Sequence, residues 1–306
     1  MRNPASVGLV ALLAIALAAP PASATFPGTN GKIAFSIFSS GEQPQIGVVD
    51  PDGTGETALT STAHRANYET GWSADGTKIA FGATSKRTTP QIRVMDPDGS
   101  NPGVIVSLSD TYIDVYHPSW SPDGSHIAFC AQTALHVKIL TVLTDGSGTL
   151  TKLSPKRADD CYPDWSPDGT TIAFMAFPSS GPYEIWKMDA DGHNRAKLAT
   201  GATPSWSPDG AQIAFTKKVR KRNEVFTMNA GGSGITRITH SAKRWEFSPA
   251  FSPDGTEIAY SRTVGTHFYD TDNIWTIPAV GGTPTQLIDT PTLDEFGVSW
   301  QPIPIP

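Results

Sequence analysis

Short apolar runs separated by polar turns repeat along almost the whole chain. Ile-Ala-Phe or Ile-Ala-Tyr recurs at 79–81, 127–129, 172–174, 213–215 and 258–260. Apolar residues at consecutive positions, instead of alternating ones, predict a strand that is buried on both faces. A turn of the type Ser-Pro-Asp-Gly precedes each run and is separated from it by two residues. In such a turn Pro presets φ, Asp bonds to nearby backbone and Gly accepts a positive φ. Each repeat therefore predicts antiparallel strands joined by tight turns.

One repeat shows how many strands each unit contains. The segment 163–166, which contains Trp165, predicts a short first strand, and 171–174 predicts the second. After a loop, 184–188 predicts a third strand, a turn of the type Asp-x-Asp-Gly follows, and a polar fourth strand begins at Arg195. Four antiparallel strands in succession form one blade of a β-propeller.

The number of repeats and their arrangement predict a closed ring. Five copies are complete, and a sixth is divided between the chain ends, with its second half at 31–35 and its first half at 298–300. A divided repeat indicates that the C-terminal strand completes the N-terminal blade, which removes free sheet edges. We therefore predict an all-β fold, a six-bladed β-propeller of four-stranded antiparallel blades, closed by pairing of the C-terminal strand with the N-terminal blade.

The N-terminal segment has the features of a secretory signal peptide. Arg2 supplies a positive charge, 7–19 is apolar, and Ala22-Ser23-Ala24 forms a small-x-small cleavage site. We predict that 1–24 is removed by cleavage near Ala24 and that 25–306 is a single propeller domain. No later segment is apolar for long enough to span a membrane, so the mature chain is expected to be secreted or periplasmic, without a transmembrane segment.

The charge balance argues against one class of partner. Of the 23 basic and 29 acidic side chains, removal of Arg2 leaves 22 basic ones. A mildly acidic exported protein lacks the positive charge that drives binding to nucleic acid. Nucleic acid is therefore not an expected partner.

Two cysteines, Cys130 and Cys161, fall at the same rim of predicted neighbouring blades. In an oxidising compartment, an even number of cysteines permits a disulfide bond. A bridge here would close a loop of about thirty residues, worth roughly 3–4 kcal/mol in the chain-entropy treatment. Two free thiols too far apart to bond are the alternative, because the sequence does not supply the Cα separation.

The phrase Trp-Ser-Pro-Asp-Gly-x-x-Ile-Ala-Phe, followed by Ile-x-x-Met-Asp-x-Asp-Gly, resembles the WD40-like β-propeller repeat (PD40) of the TolB family. Residues 91–99 and 184–192 match its second half almost letter for letter, and the resemblance covers 28–302. The family's namesake is a periplasmic component of a cell-envelope complex and carries an α/β domain ahead of its propeller. Only the predicted signal peptide precedes the propeller here, so the resemblance implies an exported propeller and not the same role in that complex.

The order of the strands distributes the loops over two faces. The Ser-Pro-Asp-Gly and Asp-x-Asp-Gly turns fall on one face, which we call the short-turn face. The connections after Ile-Ala-Phe, and those that lead into the next inner strand, fall on the opposite face, the long-loop face. Because loops on a rigid scaffold often carry function, the long-loop face is the candidate binding face.

Aromatic and charged residues are concentrated where the long loops lead into the inner strands. Tyr68, Tyr116 and Phe296 each lie four residues before the aromatic residue that ends an inner strand, which predicts a position at the mouth of the central channel. The candidate binding residues in this region are Tyr68, Tyr116, His117, Tyr162, Arg244, Trp245 and Phe296. Such a lining suits a ligand or peptide, and an ordinary solvated rim is the alternative.

One loop is strongly basic in an otherwise acidic protein. Its positive charges are carried by Lys217, Lys218, Arg220, Lys221 and Arg222. A charge run of this kind is usually a solvated loop, and the functional alternative is docking to an acidic polymer or to an envelope surface.

The sequence predicts neither a cofactor nor a metal site. The repeated aspartates of the Ser-Pro-Asp-Gly turns suit turn capping. The histidines lack the spacing of metal ligands, and neither a glycine-rich phosphate loop nor a Gly-x-Ser-x-Gly nucleophile elbow occurs.

Three hypotheses of function remain. The favoured one is an exported, non-catalytic propeller scaffold that binds a protein or peptide partner, in the cell envelope or outside the cell, through its long-loop face and channel mouth. The alternative is a carbohydrate-active enzyme, a polysaccharide lyase or hydrolase, which requires histidine and carboxylate side chains to meet at the channel. The third is a passive scaffold on the cell surface. The fold does not decide among them.

Overall fold

The computed structural model describes residues 27–39, 42–61, 65–86, 88–241, 243–263, 265, 271–290 and 293–305. The predicted signal peptide lies outside these described residues and stays a prediction. Every regular element in the described ranges is a β-strand. A helix with the length and apolar composition needed to cross a membrane is not found among the described residues.

The strands form six four-stranded antiparallel sheets, which are the six blades. Blade 1 contains β1 (Thr29–Phe38), β2 (Gln45–Val49), β3 (Thr57–Ala58) and the C-terminal β24 (Asp294–Ile303). Blade 2 contains β4 (Ala66–Trp72), β5 (Ile79–Ser85), β6 (Thr88–Met95) and β7 (Gly103–Ser107). Blade 3 contains β8 (Tyr112–Trp120), β9 (His126–Thr133), β10 (Val137–Leu143) and β11 (Leu150–Lys152).

The remaining blades follow the same order from the innermost to the outermost strand. Blade 4 contains β12 (Asp160–Trp165), β13 (Thr171–Ala176), β14 (Glu184–Asp189) and β15 (Ala196–Thr200). Blade 5 contains β16 (Ala202–Trp206), β17 (Gln212–Val219), β18 (Arg222–Asn229) and β19 (Thr236–Arg237). Blade 6 contains β20 (Glu246–Phe251), β21 (Glu257–Thr263), β22 (Asp272–Pro278) and β23 (Thr285–Gln286).

The ring closes through blade 1, as the divided repeat predicted. The C-terminal strand β24 is the innermost strand of this blade and pairs antiparallel with β1, with Trp300 opposite Ile33 and Ser299 opposite Ala34. The six-bladed propeller fold predicted from the sequence is therefore confirmed. Closure gives β1 a partner on its inner edge, which would otherwise be unpaired.

The core lies between the blades. The second strand of each blade contributes side chains to the interfaces with both neighbouring blades. In β9, Ile127 and Phe129 pack towards blade 2, whereas Ala128 packs towards Trp165 of blade 4. Side chains alternate across a strand, so the sequence Ile-Ala-Phe presents two large groups to one neighbour and a small one to the other. The small residue makes room for the aromatic side chain of the next blade. The aromatic residues that end the inner strands are all buried: Trp72, Trp120, Trp165, Trp206, Phe251 and Trp300.

The Ser-Pro-Asp-Gly turns are closed by a repeated set of hydrogen bonds. In blade 4 the Ser166 hydroxyl donates to Asp168 at 2.6 Å and accepts from the Thr171 N–H at 2.9 Å, and Asp168 also accepts from the Thr170 N–H. The equivalent Ser–Asp bond is 2.6 Å long in each of the other four turns of this type. These aspartates therefore cap turns, as their sequence position indicates.

Cys130 of β9 and Cys161 of β12 are joined by a disulfide bond between blades 3 and 4, with their Cα atoms 5.2 Å apart. Both cysteines are buried. The bond lies at the start of the inner strand of blade 4, beside residues that line the central channel. It therefore couples two neighbouring blades close to the central channel.

We expect Trp165→Ala to lower the free energy of unfolding by about 3–5 kcal/mol, because the indole is buried between blades and its removal leaves a cavity. Denaturant-induced unfolding would measure the loss. Trp186→Ala is the matched control in the same blade, since the Trp186 side chain is only half-buried and should lose less. A loss below about 1 kcal/mol at Trp165 would contradict its assignment as an inter-blade residue.

Candidate functional site

The six innermost strands surround a central channel with a cavity of about 160 Å³. Each of these strands contributes three or more residues to the lining, which includes all of the aromatic residues that end the strands except Trp206. The cavity is thus a property of the closed ring, because no single blade could form it. It is the cavity on which we base the candidate site.

Every innermost strand is irregular at the same place. Three residues before its terminal aromatic residue, each has one residue with a φ between 46° and 68°. These residues, which we call the channel ring, are Glu69, His117, Tyr162, Thr203, Ser248 and Gly297. The pairing register with the second strand shifts at this point in each blade, which is the signature of a β-bulge. A bulge redirects side chains, and here it brings the channel ring to the cavity.

The channel ring occupies a conformation that only glycine adopts without strain. Gly297 is relaxed there, whereas a non-glycine residue in the left-handed region costs on the order of 1–3 kcal/mol, most for a β-branched residue such as Thr203. Five of the six blades nevertheless have a polar side chain at this position. The backbone of the channel ring is therefore strained, and its side chains differ from blade to blade. The Ser-Pro-Asp-Gly and Ile-Ala-Phe segments, in contrast, recur with little change.

Three side chains of the channel ring form one cluster across blades 2, 3 and 4. Glu69 accepts hydrogen bonds from the His117 backbone N–H and approaches His117 Nδ1, both at 2.9 Å. The His117 ring lies against Tyr162, with the ring centroids 3.5 Å apart. The side chains of Glu69 and His117 are about one-seventh exposed, so they reach the cavity without being surrounded by water. The Glu69 carboxylate contacts Nδ1 of the His117 imidazole, so Nε2 takes no part in this contact.

Asp164 is the second polar group of the cavity and belongs to the inner strand of blade 4. It accepts a hydrogen bond from the Trp206 N–H at 2.7 Å and a weak one from the Ser119 hydroxyl at 3.4 Å. Burial raises the pKa of Asp164 to about 7, against the lowering effect of these two hydrogen bonds. This carboxyl group therefore changes its charge near neutral pH, inside the channel.

Of the predicted binding residues, His117 and Tyr162 line the cavity directly. Tyr68, Tyr116 and Phe296 each lie one residue before the channel ring, so the bulge turns the next side chain towards the cavity. Tyr68 donates to Asp114, and Tyr116 donates to Gln132 at 3.0 Å. Burial raises the pKa of Tyr116 to about 12, with nearby Glu69 adding to the effect.

The other predicted residues lie on the long-loop face, away from the cavity. Arg244 donates to the backbone carbonyl of Gly265 at 2.7 Å, and the ring of Trp245 stacks on Phe247 with centroids 6.4 Å apart. The basic residues at 217–222 form the hairpin between β17 and β18. The structure thus separates the predicted residues into a channel group, a loop group beside blade 6 and a hairpin on blade 5.

The sequence analysis missed several residues of the cavity. Glu69, Asp164, Thr203 and Ser248 line it but carry no motif. A usable signal existed, because the position three residues before the terminal aromatic residue differs in every repeat, while the position after it is proline in four of the six repeats. His64 and His267 lie outside the described residues. Within the described ranges, no group of three or more His, Cys, Asp or Glu could hold a metal ion.

Comparison with known families identifies the repeat. The profile of the TolB beta propeller domain (PD40) matches residues 18–201 and 162–287. The chain belongs to the TolB β-propeller family. No curated protein matches the chain significantly.

Solved structures of TolB proteins have the same fold. The TolB protein of Acinetobacter baumannii is 20% identical, with a TM-score of 0.75 over 91% of this chain and 69% of that one. A putative TolB from Agrobacterium tumefaciens is 19% identical, with a TM-score of 0.68 over 89% and 99%. An oligogalacturonate lyase in complex with manganese is more distant, at 15% identity and a TM-score of 0.55 over 79% and 73%. At these identities the likeness shows the fold alone.

We expect Asp164→Asn to become increasingly more stable than the natural protein as pH rises from about 4 to about 7. The pKa of Asp164 is raised in the folded state, so its stabilising contribution is present at low pH and is lost as pH rises through the folded pKa. Thermal unfolding at several pH values would measure the difference, which we expect to reach about 4 kcal/mol, since each pH unit between the ordinary pKa of 3.8 and the folded pKa of about 7 contributes about 1.4 kcal/mol.

Asp209→Asn is the matched control for this effect. Hydrogen bonds from the Ser207 hydroxyl and the Ala211 N–H hold the pKa of Asp209 below its ordinary value. The stability difference of this variant should therefore stay constant over the same pH interval. A constant difference for Asp164→Asn as well would contradict a buried, titrating carboxyl in the channel.

Proposed function

We propose that this protein is an exported, non-catalytic propeller scaffold that binds a protein partner on its long-loop face, with a short segment of the partner entering the channel mouth. The observation that carries the proposal is the channel ring. Its residues occupy one equivalent backbone position, yet they differ in every blade and five of them are polar side chains held at a positive φ.

Backbone strain at a ligand-accessible surface supports a functional role. If the position were only structural, glycine would satisfy it in every blade, as Gly297 does in blade 1. Residues in sparsely populated conformations are found disproportionately at binding and active sites, where the surrounding structure maintains them. The varied side chains would then discriminate among guests, whereas the repeated Trp-Ser-Pro-Asp-Gly residues maintain the ring.

The dimensions of the cavity favour a segment of a larger partner over an independent small ligand. A cavity of about 160 Å³ is smaller than the usual 300–1,000 Å³ of a small-molecule pocket. The surrounding long-loop face offers the wide area that a specific protein interface requires. Membership of the TolB family supports a partner in the cell envelope, and export follows from the predicted signal peptide.

The test is a pull-down from the native envelope and culture medium with His117→Asn as the channel variant. Asparagine tolerates the left-handed φ of residue 117 but removes the contacts of the imidazole with Glu69 and Tyr162. We expect loss of a protein partner with this variant at an unchanged melting temperature. His126→Asn on the short-turn side of the same blade is the control and should retain the partner; equal retention by both variants would contradict the proposal.

A second candidate function, a polysaccharide lyase, is favoured by one observation. That hypothesis requires a histidine and a carboxylate to meet at the channel, and Glu69 and His117 do so at 2.9 Å, with Tyr162 in contact. A histidine oriented by a carboxylate can act as a general base, and the tyrosine could supply a proton to the leaving oxygen. The fold is also similar to that of an oligogalacturonate lyase.

Incubation with oligogalacturonate would separate the two candidates. A lyase would generate an unsaturated uronate that absorbs ultraviolet light, and the rate should fall by at least about 100-fold in His117→Asn, since general acid–base groups contribute about 10²–10⁴ in rate. We expect no absorbance change for the natural protein. A product formed by the natural protein and not by His117→Asn would replace the binding scaffold with the lyase.

A further inference from the structure

We propose that the long-loop face docks on an anionic lipid bilayer through an arc of exposed basic side chains on blades 3 to 6. This basic arc consists of Lys156, Arg157, Lys218, Arg220, Lys221 and Lys243. It does not include the channel ring, so this inference goes beyond the proposed partner-binding function and does not depend on it.

Among the described residues, most of the exposed acidic side chains lie on the opposite face, whereas the long-loop face has exposed acids at Glu42, Asp110 and Asp289. The turns of the short-turn face contain aspartates that are needed for their hydrogen bonds, at one position in each Ser-Pro-Asp-Gly turn and at one or two positions in most Asp-x-Asp-Gly turns. For Asp209, hydrogen bonds from the turn lower the pKa and keep the carboxylate charged. An anionic surface is thus repelled by the short-turn face and attracted by the long-loop face, which orients the molecule as it approaches.

The hairpin between β17 and β18 holds the centre of the basic arc in a fixed position. Its strands pair up to Val219 and Arg222, and Arg220 takes a φ of 56° in the two-residue turn. Lys218, Arg220 and Lys221 are exposed. Among the residues that the structure describes, no carboxylate forms an ion pair with any of these three. Their charges are therefore available to an external anion.

Carboxylates close to the basic arc are already engaged within the fold. Glu224, which follows the hairpin, pairs with Arg237. Asp160 pairs with Arg195 at 2.8 Å and is fully buried. Glu184 pairs with Lys197 at 2.6 Å. Each of these three carboxylates is consequently compensated by a basic side chain outside the basic arc.

Two apolar side chains project from the same face beside the basic arc. Leu135, in the turn between β9 and β10, is 84% exposed, and Tyr183, in the loop before β14, is 53% exposed. Tyr183 contacts Phe177 edge-on, with centroids 5.2 Å apart, so its ring is held in place. Both loops are connections between the second and third strands, which the blade topology places on the long-loop face.

This combination matches the chemistry of a bilayer surface better than that of a soluble polyanion. Phosphate headgroups attract basic side chains from several loops at once, without a shaped pocket. Leucine and tyrosine side chains on the same face can enter the interfacial layer between headgroups and acyl chains, where amphipathic rings are favoured. A soluble acidic polymer would use the charges but would gain nothing from Leu135.

The test measures sedimentation with vesicles of phosphatidylcholine, with and without one-third phosphatidylglycerol. The protein used begins at Thr25, since the apolar segment 7–19 would itself partition into lipid and since all described strands begin at or after Thr29. We expect binding only to the anionic vesicles, weakening as salt is added. Each basic side chain near an anionic surface raises the partition coefficient by about fivefold, so Lys218→Gln with Lys221→Gln should lower it at least about tenfold.

Matched variants on the short-turn face separate local contact from net charge. Lys32→Gln with Lys78→Gln makes the same change in net charge and should leave binding unchanged, as should Val280→Ser, which alters a side chain that is 94% exposed there. Leu135→Ser should weaken binding at least about threefold, the scale of a partly buried apolar side chain.

Three results would overturn the proposal. One is equal weakening by the two lysine pairs, and another is unchanged binding of Leu135→Ser. The third is retention on an immobilised acidic polysaccharide without binding to anionic vesicles, which would assign the basic arc to a polymer. None of these results bears on the channel variant His117→Asn, so failure here and failure of the partner-binding function are distinguishable.

Discussion

Burial of the second strand between two neighbouring blades is the interaction on which the rest of this propeller depends. The strand presents Ile and Phe to the preceding blade and Ala to the following one, as with Ile127, Ala128 and Phe129. The small Ala leaves space for the aromatic residue of the next inner strand, in this case Trp165. Because the same relation recurs at each interface, the blades pack in one direction around the axis until the ring is complete.

Closure of the ring has a geometric consequence at its centre. Six strands that converge on one axis must keep their terminal aromatic residues in register, and each accommodates this with a bulge three residues earlier. The bulge has the same φ in every blade but a different side chain. The repeat therefore requires the bulge in every blade but does not fix the side chain at that position. A symmetric scaffold can in this way form an asymmetric site such as Glu69, His117 and Tyr162.

The difference in composition between the two faces also follows from the repeat. The Ser-Pro-Asp-Gly turns of the short-turn face require aspartate for their hydrogen bonds, so most of the exposed acidic residues among those described lie on that face. The longer connections on the other face have no such requirement. Their composition can therefore follow function, and they hold the channel mouth as well as the basic hairpin at 217–222.

The sequence by itself determined the fold almost completely. The period, the paired turn types and the divided sixth repeat specify four-stranded blades, their number and the closure, because each depends on local chemistry such as turn φ values and consecutive apolar residues. The four strands predicted in blade 4 are present as β12 to β15. The inner strand begins at Asp160, before its predicted start at 163, since a strand interrupted by a bulge has no regular alternation to read.

The site depended on the tertiary structure. His117 and Tyr162 were among the predicted residues, but their contact with each other and with Glu69 joins three blades and has no counterpart in local sequence spacing. The raised pKa of Asp164 likewise results from burial by strands that are distant in sequence. Local patterns encode how each blade forms; which side chains meet at the axis is decided only when six blades converge, because those distances are set by the packing of the whole ring.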